Sequence, residues 1–193
     1  MTVQQQRAET FICLVKGLFP NKKPFRWVEI GVYDGSHARM VLSALKVWGC
    51  STCYAGYDLF EEALRVDLSH DNPGIHSQMR QKPRVMQKRV RKIRVQEMLE
   101  PLCEEVVLVQ GNSGVTLTTS PHLPRANLVY IDGGHSYECV SADWAAVVAL
   151  APKSCVVMFD DVGWEGVNRV IQEAESTGRV FERLDEWRRY TVM

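Results

Sequence analysis

Short apolar runs alternate with amphipathic stretches along most of the chain, and such alternation is what a parallel sheet covered by helices on both faces requires. Residues 3–18 read as a helix, closed by Pro20 and the turn over residues 21–24. Phe25-Arg-Trp-Val-Glu-Ile30 then reads as a first strand ending at Gly31, followed by a helix over residues 38–48 that Gly49 stops. Further strands are expected over residues 52–58, 105–110, 127–132 and 154–159, with helices over residues 137–150 and 164–176. Residues 179–184 and 188–192, with Asp185-Glu186 between them, predict a closing antiparallel hairpin. The crossover over residues 59–102 is longer than usual, with a polar loop near residues 71–74 and a helix expected over residues 85–99. The fold class is therefore α/β, a three-layer Rossmann-like sandwich.

At 193 residues the chain is expected to form one domain, residues 1–193, around a continuous core. No apolar run reaches the roughly 18 residues of a membrane span. The polar start, Met1 to Arg7, lacks the pattern of a secretory signal, so the expected compartment is the cytoplasm. Six scattered cysteines then read as reduced thiols, and the lone Cys50-Ser-Thr-Cys53 lacks the partners a zinc site needs. Net charge is zero, which argues against a general polyanion binder. Yet eight of the 23 basic side chains fall between Arg80 and Arg94 with no acid among them, leaving 15 basic against 23 acidic elsewhere. A solvated helix face explains such a run most simply. An anionic acceptor comes next; nucleic acid comes last, because few aromatics interleave the cations.

Ligands of open α/β sheets bind beyond the carboxyl ends of the strands, where strand order reverses. The first expected strand ends in Glu29-Ile-Gly31-Val-Tyr-Asp-Gly35-Ser36, a glycine turn feeding a helix whose free amides suit an anionic group. Its spacing differs from the Gly-x-Gly-x-x-Gly of dinucleotide sites. Asp58, at the end of the second strand, stands where a carboxylate takes ribose hydroxyls, though it would equally cap a helix. Asp132-Gly-Gly-His135-Ser-Tyr137 and Phe159-Asp160-Asp161 follow the fourth and fifth strands. Three carboxylates on neighbouring strand ends repel unless a cation lies between them, and oxygen ligands suit Mg²⁺, Mn²⁺ or Ca²⁺. His135 has the chemistry of a general base near neutral pH. The structural alternatives are turn stabilisation by Asp132, helix capping by Asp160 or Asp161, and a hydrogen-bonded His135.

These motifs together resemble the class I S-adenosylmethionine-dependent methyltransferases. The nearest branch is that of small-molecule O-methyltransferases with an Asp-Gly-x-His-x-Tyr motif, which includes macrolide-sugar enzymes. The resemblance runs from about Trp27 to Val167. It implies a seven-stranded, mostly parallel sheet with an antiparallel last strand. By resemblance, Glu29, Gly31 and Gly35 shape the pocket for the methionine part of the cofactor, with Ser36 near its carboxylate. Asp58 holds the ribose hydroxyls, and Asn112 and Ser113 lie beside the adenine. Asp132 takes part in the site as well. Asp132, Asp160 and Asp161 match metal-ligand positions, with Mg²⁺ the first choice, and His135 falls where the branch places its base. Many metal-dependent catechol-type relatives carry Asp-Asn after strand five, whereas this chain has Asp160-Asp161.

The expected reaction is transfer of the sulfonium methyl to a hydroxyl of a small molecule or sugar, assisted by a divalent cation. Neither a membrane nor nucleic acid is an expected partner. Two alternatives stand beside this reading: an NAD-binding oxidoreductase, disfavoured by the glycine spacing, and a cofactor-binding protein without catalysis.

Overall fold

The computed structural model describes residues 3–20, 24–61 and 90–193. Helix α1 (Val3–Leu18) precedes strand β1 (Phe25–Ile30), helix α2 (Ser36–Val47) and strand β2 (Thr52–Asp58). Helix α3 (Lys92–Leu99) leads to β3 (Glu105–Gln110), and the short helix α4 (Ser113–Thr116) with two 3-10 turns leads on to β4 (Leu128–Ile131). Helix α5 (Tyr137–Leu150), strand β5 (Val156–Phe159) and helix α6 (Glu165–Ser176) come next. Strands β6 (Glu182–Arg183) and β7 (Arg189–Val192) close the chain. The helix expected over residues 85–99 is seen from Lys92; its earlier part, like the basic residues Arg80 to Arg89, lies outside the described residues.

The sheet order is β3-β2-β1-β4-β5-β7-β6. Five strands run parallel, and β7 pairs antiparallel with both β5 and β6, so the closing hairpin supplies one edge. Side chains alternate across each strand and divide the core in two. Trp27, Tyr54, Tyr130 and Met158 pack with residues of α1, α2 and α3 on one face. Val28, Ile30, Tyr57, Ile131 and Phe159 pack with residues of α5 and α6 on the other. That burial on both faces gives the strands their continuous apolar character. No helix among the described residues is long and apolar enough to cross a membrane.

The register places the site. Ile30 stands opposite Tyr57 and Ile131, and Ile131 opposite Phe159. The next residues, Gly31, Asp58, Asp132 and Asp160, therefore leave the sheet along one rim. Strand order reverses between β1 and β4, which makes the space above this pair the natural ligand site.

Candidate active site

The glycine turn is built around Asp58. Its Oδ2 accepts hydrogen bonds from the backbone N–H groups of Val32 and Tyr33, each at 2.8 Å, and its Oδ1 accepts from Phe60 N–H at 2.7 Å. One carboxylate thus ties the β2 end to the turn after β1. Gly31 has φ +90, and a Cβ there would stand 2.0 Å from the carbonyl oxygen of Asp132. The glycine lets the β1 and β4 exits touch. Gly35, at φ +73, caps α2 without a side-chain hydrogen bond, and a Cβ on it would meet Val95 and Met98 of α3 at 2.8 Å. Its left-handed conformation starts α2 at Ser36, two residues before the expected point. Tyr33, half exposed, is itself left-handed at φ +50.

Glu29 points the other way. Strand alternation puts it beneath α2, 1% exposed, where it accepts from the Tyr54 hydroxyl and lies 3.0 Å from His37 Nδ1. Burial first, and then the Glu29 charge, hold the Tyr54 phenol well above its ordinary range. Asn112 caps α4 by accepting from Gly114 N–H at 2.9 Å, and Ser113 opens that helix. Ser36 N–H donates to Asp34 Oδ1 at 2.9 Å. Of the residues expected around the cofactor, Gly31, Gly35, Ser36 and Asp58 share the β1–β2 rim, Asn112 and Ser113 follow β3, and Glu29 braces the turn from below.

The acids on the other side of the reversal divide. Asp132, His135 and Asp161 bring one ligand atom each within 4.8 Å of one another, all three partly buried. His135 Nε2 lies 3.1 Å from Asp161 Oδ2. Asp160, placed with the other two acids by sequence, is only 2% exposed and turned inward. Its Oδ2 accepts from the Tyr130 hydroxyl, and its Oδ1 from Asp161 N–H at 2.7 Å. The period-two pattern continues through Met158 and Phe159 and carries Asp160 to the face that holds Tyr130. Asp161 then adopts φ +52, which returns the next carboxylate to the rim. A left-handed non-glycine residue costs on the order of 1–3 kcal/mol, so the surrounding contacts must hold it.

Sequence reasoning missed what surrounds His135. The Trp164 indole stacks on its imidazole, with centroids 5.2 Å apart and planes 6° from parallel. Trp164 N–H donates to the Asp161 carbonyl at 3.0 Å, so one tight turn delivers Asp161 to the edge of the ring and Trp164 to its face. Gly166, in the first turn of α6, sits where a Cβ would be 2.3 Å from the His135 carbonyl oxygen. Nothing in the spacing of these residues links a loop after β4 to a turn after β5. The one available signal was an aromatic residue three places past the acid pair.

A reversing parallel sheet, a glycine turn locked to a carboxylate on β2 and acids on the β4 and β5 exits define a class I S-adenosylmethionine-dependent methyltransferase. Residues 28–162 match the family described as "Methyltransferase domain", and the chain belongs to it. No curated protein matches the sequence. Among solved structures, the O-methyltransferase NovP superposes with a TM-score of 0.72 at 17% identity, covering 96% of this chain and 78% of that one. CalS11, a TDP-rhamnose 3'-O-methyltransferase of calicheamicin biosynthesis, gives 0.60 at 18% identity, with 95% and 79% covered. TomG, an O-methyltransferase of Streptomyces achromogenes involved in tomaymycin synthesis, gives 0.61 at 11%, with 97% and 80% covered. At such identities the likeness is one of fold. The oxidoreductase alternative falls with the family match.

Proposed function

We propose that the protein transfers the methyl group of S-adenosylmethionine to a hydroxyl of a small molecule or sugar. The observation that carries this reading is the cluster of Asp132, His135 and Asp161 on the β4 and β5 exits, which puts an acid–base group on the rim where strand order reverses. The reading is supported by the O-methyltransferases whose fold the chain shares. The cofactor would lie over Gly31 and Gly35, its ribose toward Asp58, its carboxylate toward the start of α2, and its adenine toward Asn112 and Ser113. Glu29 would hold the turn rather than touch the ligand. All of this belongs to one domain in a cytoplasmic protein.

The two carboxylates of the cluster fit a hard divalent cation, Mg²⁺ or Mn²⁺, and leave the imidazole free for proton transfer. Asp132 and Asp161 would hold it, with Asp160 fixing Asp161 through its backbone N–H. Such a cation, when bound, lowers the pKa of a nearby hydroxyl. His135 Nε2 would accept the hydroxyl proton, and Asp161 Oδ2, 3.1 Å away, would offset the charge of the protonated ring. Holding oxygen and methyl carbon about 3–3.5 Å apart and in line is worth roughly 7–11 kcal/mol of the barrier. Exposed Arg91, at the N-cap of α3, and Arg94, in its first turn, stand on the helix whose Val95 and Met98 cover Gly35, and this favours an anionic acceptor such as a nucleotide sugar.

The test is calorimetry with S-adenosylmethionine and NAD in turn, with and without Mg²⁺, followed by radiolabelled methyl transfer to a panel of hydroxylated acceptors, nucleotide sugars first. Binding of S-adenosylmethionine alone and an O-methyl product suppressed by EDTA are expected. A methyl group found on nitrogen or carbon, or full turnover in EDTA, overturns the corresponding part.

A further inference from the structure

We infer that Trp164 is a positioning residue for His135: its indole fixes the plane of the imidazole, so that Nε2 stays aimed at the space between Asp132 and Asp161. The inference rests on the proposed role of His135 as proton acceptor. It is carried by geometry that role does not require.

An imidazole on a glycine-flanked loop has two free torsions, and a single contact at one nitrogen leaves the ring free to swing about that contact. The edge contact here is the 3.1 Å approach of Nε2 to Asp161 Oδ2. The face contact is the indole, at 5.2 Å and 6°. Edge and face together define a plane and a direction, which neither does alone. Near-parallel offset stacking is a preferred arrangement of two flat π-systems, so the contact is attractive as well as obstructive. Both contacts come from the same turn, closed by Trp164 N–H on the Asp161 carbonyl, so they move together.

The backbone of the loop is held as well. Gly166, two residues past the indole, lies against the carbonyl of His135, the carbonyl carbon of Ser136 and the amide of Tyr137, with no room for a Cβ. Ser136 caps α5 by accepting from Cys139 N–H at 3.3 Å. Tyr137 is covered by the Arg169 guanidinium at 3.7 Å and donates its hydroxyl to Glu173 at 2.9 Å, both on α6. The start of α6 therefore grips residues 135–137 from one side, and Trp164 is the part of that grip that reaches the ring. Its indole is partly buried and packs against the core on the α5–α6 face, which holds it in place.

Ring order reads this directly on the protein without an acceptor. The sequence has five histidines, and the ring signals of His135 are identified by their loss in His135→Gln. In the wild-type protein the ring should be as ordered as rigid backbone, with S² about 0.85. Trp164→Phe, which keeps a flat ring, should preserve that order. Trp164→Leu, which keeps bulk but no flat face, should drop it below about 0.6. For any acceptor found above, Trp164→Leu should lower kcat on the order of 100-fold, with S-adenosylmethionine affinity unchanged and Trp164→Phe near wild type. Equal ring order in the Leu and Phe variants overturns the inference even if methyl transfer is confirmed. Loss of order with no effect on kcat leaves the ring placement standing and removes His135 from catalysis. Should the Leu variant fail to fold, Trp164→Met replaces it, and the Phe variant still decides: a disordered His135 ring in that folded protein rejects stacking as the cause.

Discussion

At the scale of single residues, Asp160 and Asp161 show how little adjacency says about role. Both are acids after a buried strand, yet one is sealed against Tyr130 and the other meets His135 at the rim. Their substitutions should differ in kind. Asp161→Ala and Asp132→Ala are expected to weaken Mn²⁺ or Mg²⁺ binding by at least about 10- to 100-fold, with S-adenosylmethionine affinity little changed in titration calorimetry. Asp160→Asn removes a buried charge that accepts from Tyr130 and Asp161, and should cost about 1.5–3 kcal/mol in urea unfolding. Equal metal affinities for Asp160→Asn and Asp161→Ala proteins would return Asp160 to the ligand set. The identities of these residues were plain in the sequence. Their division was not, because it depends on a left-handed turn at Asp161 that no residue type demands.

At the scale of elements, the site is made by three close approaches at glycine: β1 against the β4 exit at Gly31 and α6 against the β4–α5 loop at Gly166, both backbone to backbone, and the start of α2 against side chains of α3 at Gly35. Gly31→Ala would place a Cβ 2.0 Å from backbone at an unfavourable φ, and should abolish soluble expression or sharply lower the melting temperature. Gly166→Ala pushes on the His135 carbonyl instead. A loss of about 1–3 kcal/mol is expected, with turnover falling further than that stability change explains. Gly163→Ala is the control, since nothing lies within 4 Å of its Cβ position and its stability should be unchanged. If Gly166→Ala and Gly163→Ala melt together, the close approach is wrong. Sequence showed the first two glycines as a motif; Gly166 looked like an ordinary helix residue, because its neighbours across the gap, His135 to Tyr137, belong to a different loop.

At the scale of the whole molecule, the sheet interior carries phenols and thiols that resist ionisation. Burial foremost raises Tyr54 and Tyr130 well above their ordinary range and pushes the Cys155 thiol up to about 12. Groups raised in the folded state contribute stability that is intact below their unfolded pKa and is lost as pH climbs toward the folded one. The loss should begin near pH 9 for the thiol and near 10 for the phenols, with each group adding about 1.4 kcal/mol per pH unit. Urea midpoints at pH 8, 9.5 and 10.5 measure it, and a flat midpoint would mean that water reaches these groups.

The order of strands and helices was legible because it follows from local periods of two and 3.6 residues, and β1, β2, β3 and α5 fall at their expected bounds. The row of polar strand ends was legible for the same reason. An acid that ends an apolar run must lie on a rim. Which rim groups face one another was settled only by packing. Glu29 and Asp160 turned inward because alternation carries them onto the face of Tyr54 and Tyr130. The enclosure of His135 by Asp161 and Trp164 joins two loops that no sequence period couples. Local chemistry fixes where each chain segment goes; the meeting of distant segments needs the closed sheet.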